Sequence, residues 1–179
     1  VNMQAPYQGG LIQRSPNAMI SPTTAGTFSN SGTVENSGTG ALVIEPANLT
    51  SNNATYTETS TGSLAIIAAT GTHSGTTTLN GNSINLSGTQ NFNGLLQLSG
   101  PNTNLSVTNG TVNLTQGANY TQGISLANGA LNVAAGQTVT AGGGMSTTGG
   151  SVGGGGTVVV PAGQNLTKTG TGNFTVDSG

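Results

Sequence analysis

Apolar residues in this chain recur at alternate positions, in short bursts. Apolar–x–apolar triplets fall at Leu42/Ile44, Leu64/Ile66, Ile84/Leu86, Leu96/Leu98 and Leu105/Val107. They continue at Val112/Leu114, Ile124/Leu126, Leu131/Val133, Val158/Val160 and Phe174/Val176. The residue between is usually polar, as at Asn85, Gln97, Ser106, Asn113 and Asn132. Side chains alternate sides along a strand, so this pattern predicts short strands with one face inward and one outward. No window repeats apolar residues at three- and four-residue spacing over three turns, and glycine and β-branched residues are spread throughout, so helices are not expected.

Turn formers punctuate the series at Asn80-Gly81, Asn93-Gly94, Asn109-Gly110 and Asn128-Gly129. Both residue types accept positive φ and turn the chain without strain. An Asn-Gly pair also closes a hairpin, which leaves two all-β architectures open. Repeat spacing favours a coil: Ile84 to Val112, Leu96 to Ile124 and Phe92 to Tyr120 are each 28 residues apart. A unit of that length, with three short strands and three corners, suits one coil of a triangular β-solenoid. The fold expected is therefore all-β, a β-solenoid (parallel β-helix) with about three short strands per coil. Residues 41–176 would make about five coils and a shaft about 24 Å long. An antiparallel β-sandwich built on the Asn-Gly turns is the alternative.

Composition fits a thin core. Hydrophobic residues are 32% of the chain and aromatics 3%, and there are 31 glycines. A narrow internal column needs few aliphatics, whereas a broad globular core needs many. Charged residues are 3%, against roughly 25% in an ordinary soluble domain. The two basic residues, Arg14 and Lys168, are too few to neutralise a nucleic-acid backbone, so no such partner is expected. There is no cysteine and hence no disulfide framework. No apolar run is long enough for a membrane span. Val1 is not an initiator Met, and the chain reads as a processed form or a fragment.

Three segments depart from the strand pattern. Residues 1–30 carry Pro6, Pro16 and Pro22 with Met3 and Met19, and read as an N-terminal arm, cap or linker ahead of a solenoid over 31–179. Residues 45–62 are rich in Asn and Thr and suggest a longer loop. Residues 141–156 hold nine glycines and suggest a tight corner or flexible excursion.

Candidate chemistry is sparse. Glu35, Glu45 and Glu58 are the only glutamates and Asp177 the only aspartate, fewer than a calcium-binding repeat requires. The carboxylate pair or basic groove of a polysaccharide lyase or hydrolase is not apparent. The chain is read as not an enzyme, with no catalytic, metal or cofactor site. His73 reads as an exposed loop imidazole, and Lys168 as a strand lysine that discourages edge pairing. Thr-x-Thr pairs such as Thr55/Thr57 and Thr138/Thr140 invite an ice-binding reading, but they do not recur at 28-residue spacing. Tyr56, Phe92 and Tyr120 are expected at corners, plugging the column.

The stretch Leu166-Thr167-Lys168-Thr169-Gly170-Thr171-Gly172-Asn173-Phe174-Thr175-Val176 resembles the opening of the autotransporter-associated β-strand repeat. Asn53-Ala54-Thr55-Tyr56-Thr57, Gly117-Ala118-Asn119-Tyr120-Thr121-Gln122-Gly123 and, more loosely, Gly88-Thr89-Gln90-Asn91-Phe92-Asn93-Gly94 are similar to its aromatic corner. The resemblance spans about residues 40–176. It implies a bacterial exported β-helix of the kind found in passenger domains and haemagglutinin-like adhesins, with no catalytic residue to carry over.

The chain stops at Asp177-Ser178-Gly179, just after the triplet Phe174/Val176, with no amphipathic helix or charged cap following, so that either the protein continues or this edge is covered by another copy. A solenoid leaves open strand edges at its ends, so Phe174 and Val176 are expected in an end-to-end contact between copies. The function expected is a non-catalytic extracellular structural protein, secreted or at the cell surface: the shaft of a bacterial adhesin or a self-assembling fibre subunit. Its expected partners are further copies of itself, matrix polysaccharide or cell surfaces. An ice- or glycan-binding module is the alternative.

Overall fold

The computed structural model describes residues 11–13, 18–20, 26–59, 61–100 and 102–177. Among these there is no helix, and the chain winds as a β-solenoid. The first coil holds β1 (Leu11–Gln13), β2 (Ala18–Ile20) and β3 (Thr27–Asn30), and the second β4 (Thr33–Asn36), β5 (Leu42–Ile44) and β6 (Asn48–Asn52). The third holds β7 (Thr55–Glu58), β8 (Ser63–Ile66) and β9 (Thr70–Ser74), and the fourth β10 (Thr77–Asn80), β11 (Ser83–Leu86) and β12 (Thr89–Phe92). The fifth holds β13 (Leu96–Ser99), β14 (Asn104–Thr108) and β15 (Thr111–Leu114). Next, β16 (Ala118–Tyr120) leads into β17 (Ile124–Val133), and β18 (Thr138–Ala141) into β19 (Met145–Gly153). The stack ends on β20 (Thr157–Val159), β21 (Leu166–Lys168) and β22 (Phe174–Val176).

Three faces result. The first runs from β1 through β13 as a five-stranded sheet and resumes as the three-stranded sheet of β16, β18 and β20. The second runs from β2 through β14 to β21, and the third from β3 through β15 to β22. β17 and β19 bend round the corner between these two faces and join them in one 14-stranded sheet. Every pairing between these strands is parallel, which overturns the antiparallel alternative. The Asn-Gly pairs turn corners rather than close hairpins. Asn109 and Asn128 sit at φ +49° and +54°, a region that Asn tolerates.

The coil is shorter than 28 residues. Register steps run from 19 residues, Thr77 to Leu96, to 24, Ala18 to Leu42. About seven turns therefore separate β1 from β20, and the stack is roughly 34 Å tall, not 24 Å. The longer period has a simple origin. Ile84 lies on the second face and Val112 on the third face of the next coil; Leu96 and Ile124, and Phe92 and Tyr120, are displaced in the same way. A step of 28 is one coil plus one face, and faces of similar strand and corner chemistry align well when slipped by one.

Nine of the ten apolar triplets fall on strands, the tenth, Val158/Val160, running one residue past β20, and their apolar positions face a single column. Parallel stacking places like side chains above one another. One column runs through Leu42, Leu64, Ile84, Leu105, Ile124 and Met145, and a second through Ile20, Ile44, Ile66, Leu86, Val107 and Leu126. Both are buried throughout. Sharing each face with the next coil is what lets so few aliphatics suffice.

The segment boundaries also differ from expectation. Strands β1, β2 and β3 lie inside the presumed N-terminal arm and pair in register with the second coil. The three prolines of that arm lie outside the described residues. Residues 45–62 hold β6 and β7 rather than one loop. The glycine-rich tract is no excursion, since β19 runs through it and pairs on both sides. Glycine is needed there because successive backbones close in at the corner. Gly150 has φ +114°, and a Cβ on it would strike the Gly129 carbonyl of the preceding coil.

Candidate functional site

The titratable groups do not converge. Glu35 points outward from β4, Glu45 is exposed just after β5, and Glu58 points inward from β7 and is buried. Among the described residues no three His, Asp or Glu side chains gather where a metal would sit. No helix there is long and apolar enough to cross a membrane.

Tyr56, Phe92 and Tyr120 stand within β7, β12 and β16 rather than between strands, and all three are buried. Around two of them lies a polar seam inside the column. Tyr56 Oη and Ser51 Oγ are 2.7 Å apart, and burial pushes the phenol up to about 12 although hydrogen bonds to Ser51 and Asn30 oppose the shift. Tyr120 Oη donates to the Leu96 carbonyl at 3.4 Å, and burial raises its pKa as well.

His73 is not an exposed loop residue. It lies within β9, fully buried, because its position alternates with the outward Thr70, Thr72 and Ser74. Its ring stacks on Phe92 of the next coil, with centroids 4.2 Å apart and planes 9° from parallel. Nε2 lies 3.1 Å from Gln90 Oε1. Gln90 Nε2 donates to the Ala68 carbonyl at 2.9 Å and the Ser87 carbonyl at 2.7 Å, so Oε1 is the acceptor and the imidazole hydrogen sits on Nε2. That leaves Nδ1 buried with no hydrogen-bond partner. Burial lowers the pKa to about 4, partly offset by the bond to Gln90. Gly71 makes room for the pair, since a Cβ there would meet both Gln90 Oε1 and His73 Nε2.

β20, β21 and β22 pair with the preceding coil only, through β18 and β19. Their other edge presents main-chain groups unmatched by any described strand. Here Leu166 is 52% exposed and Val176 69%, while Phe174 is half-buried. With Met145, Val152 and Val158 they line a hollow of about 290 Å³. Phe174 and Val176, expected at an end contact, are thus on the exposed terminal strand. Lys168 occupies the last inward position of the column that Ile20 begins, in register with Thr147. Its Nζ turns back to the carbonyls of Gly170, at 2.8 Å, and Thr169, at 3.4 Å.

The third face carries two outward columns. One runs through Thr27, Asn48, Thr70, Thr89 and Thr111 to Ala130, the other through Ser29, Thr50, Thr72, Asn91 and Asn113 to Asn132. Asn113 Nδ2 donates to Asn91 Oδ1 at 2.7 Å and Asn132 Nδ2 to Asn113 Oδ1 at 2.8 Å, an amide ladder along the axis. The 28-residue period hides these columns. The shorter steps between Thr70, Thr89 and Thr111 are the signal in the sequence that reveals them. Compared with models of protein families, with curated proteins and with solved structures, the chain finds no match.

Proposed function

We infer that this protein is a non-catalytic structural element, a stiff β-solenoid shaft at the cell exterior that associates with another copy through the coil of β20, β21 and β22. The observation that carries the reading is that end coil, where Leu166, Phe174 and Val176 stand half-buried or exposed beside three strands paired on one side only. Unpaired parallel edges next to apolar surface favour addition of a further rung. Continuous backbone ladders along three faces supply stiffness. The extracellular setting draws support from the near absence of charge and from the resemblance to exported β-helix repeats. Cell surfaces and extracellular matrix are the adhesive partners such a shaft would meet.

Sedimentation velocity over a range of concentrations, with electron microscopy of the associated fraction, tests the reading. The wild-type chain is expected to associate as concentration rises, and the double variant Leu166→Glu, Val176→Glu to remain monomeric with the same far-ultraviolet circular dichroism. A wild-type chain that stays monomeric throughout, or association untouched by the double variant, refutes it.

A further inference from the structure

We propose that the outward third face of the solenoid binds ice. Its two columns form a lattice rather than a patch. Along the axis the side chains repeat at about 4.8 Å, and across each strand the two columns stand about 6.6 Å apart. The register holds without a shift from β3 to β15, so the lattice is continuous over five coils. The axial repeat lies close to the shorter lattice repeat of hexagonal ice, and the cross-strand repeat is somewhat shorter than the longer one. The Thr-x-Thr pair at Thr70/Thr72 is one rung of a series whose other rungs pair Thr, Ser and Asn.

Chemistry on the face suits an ordered water layer. None of its described outward residues from Thr27 to Ser151 is charged, so no ion holds a hydration shell of its own there. Hydroxyls and amides offer hydrogen bonds at fixed intervals, and the threonine methyls shed water between them. The groups are held in place beforehand: threonine is stiff at χ1, and the Asn91–Asn113–Asn132 ladder locks three amides against each other. Preorganisation of this kind lowers the ordering cost of meeting a rigid partner. A polysaccharide is the weaker fit, because sugar rings are held by aromatic platforms and this face has no aromatic among its described outward residues.

This surface lies along the side of the shaft, away from the edge of the last coil, so the proposal stands or falls independently of self-association. Thermal hysteresis and inhibition of ice recrystallisation are measured on the full chain and on three variants. Thr72→Tyr and Thr89→Tyr place a bulky ring in the middle of the lattice at exposed positions; Ser106→Tyr places one at a half-buried outward position on the second face. The expected result is hysteresis and faceted ice growth with the wild type and with Ser106→Tyr, and loss of most of both with the two threonine variants, all four giving the same circular dichroism. A wild-type chain that leaves ice growth unchanged overturns the proposal. So does an equal loss in Ser106→Tyr. Binding of insoluble cellulose or chitin that Thr72→Tyr abolishes, with ice growth unaffected, overturns it in favour of a glycan surface.

Discussion

Phe28 and Val176 occupy the same inward column at opposite ends of the stack, yet Phe28 is 1% exposed and Val176 69%. Ile20 and Lys168 make the same contrast in the neighbouring column, one fully buried and the other exposed. Alternation puts all four on the inward side of a strand. Burial depends on whether something lies on the far side of the coil. Among the described residues the inward side chains are buried in the first coil and exposed in the last, although both of these coils pair on one side only. That asymmetry bears on the proposed assembly, in which the exposed apolar edge would meet either its like or the opposite end of a second copy. Two like ends in contact make an isologous pair, which stops at a dimer, whereas head-to-tail stacking continues as a fibre. Association that halts at two copies marks the first geometry, and growth into filaments marks the second.

The contrast between middle and end is sharpest when one residue type is removed at both places in one column. Leu64 is fully buried and Leu166 half-exposed in the column shared with Ile84 and Met145. Leu64→Ala is expected to cost about 2–5 kcal/mol through lost burial and the cavity left behind. Leu166→Ala is expected to stay within about 1 kcal/mol, because its side chain is already in water. Urea unfolding of the two variants measures the difference, and similar losses at both sites mean that the terminal coil is covered in solution.

Acid is expected to act first on the coils around His73. His73 titrates at about 4 in the fold and at 6.5 when unfolded. The unfolded chain therefore takes up a proton that the fold refuses, and stability falls as pH drops from 6.5 to 4 and levels off below. The loss amounts to about 3 kcal/mol at most. His73→Gln is expected to remove this pH dependence, whatever its effect at neutral pH. Hydrogen exchange at pH 7 and pH 4.5 checks the location: amides around β6, β9 and β12 lose protection in acid while those of β17 keep it. Uniform loss over both halves means that another group controls the transition.

How much of this was legible in the residues follows from which interactions are local. Alternation is local, so nine of the ten apolar triplets landed on strands, with Val160 one residue past β20, and the architecture followed from their number. Coil length is not local. It depends on which face sits above which, and with three faces of similar chemistry the 28-residue match between Phe92 and Tyr120 was a slip by one face. The error propagated to the surface, where the threonine columns of the third face emerge only at the true spacing. It also hid His73, because Thr-Gly-Thr-His-Ser reads as a polar loop until Gln90 and Phe92 are brought beside it by the next coil. Of the two readings of the glycine tract the corner held and the excursion did not: glycine in sequence suggests freedom, while here it answers to the closeness of the backbone one coil away.

Lys168 gives the smallest effect and the finest test of the two ends. Its column is aliphatic from Ile20 to Leu126, then turns to Thr147 and finally to a cation. A charge at an inward position is a recognised way of keeping a strand edge from acquiring neighbours. Its ammonium is held by two carbonyls of its own corner and remains in water, so Lys168→Leu is expected to change folding stability by no more than about 0.5 kcal/mol. Association is where the substitution acts. A leucine continues the aliphatic column to the edge of the last coil, and the dissociation constant from sedimentation is expected to fall severalfold, by less than about tenfold. If Lys168→Leu instead weakens association, the ammonium meets an acceptor on the second copy, and the end recognises its partner through this cation rather than merely tolerating it.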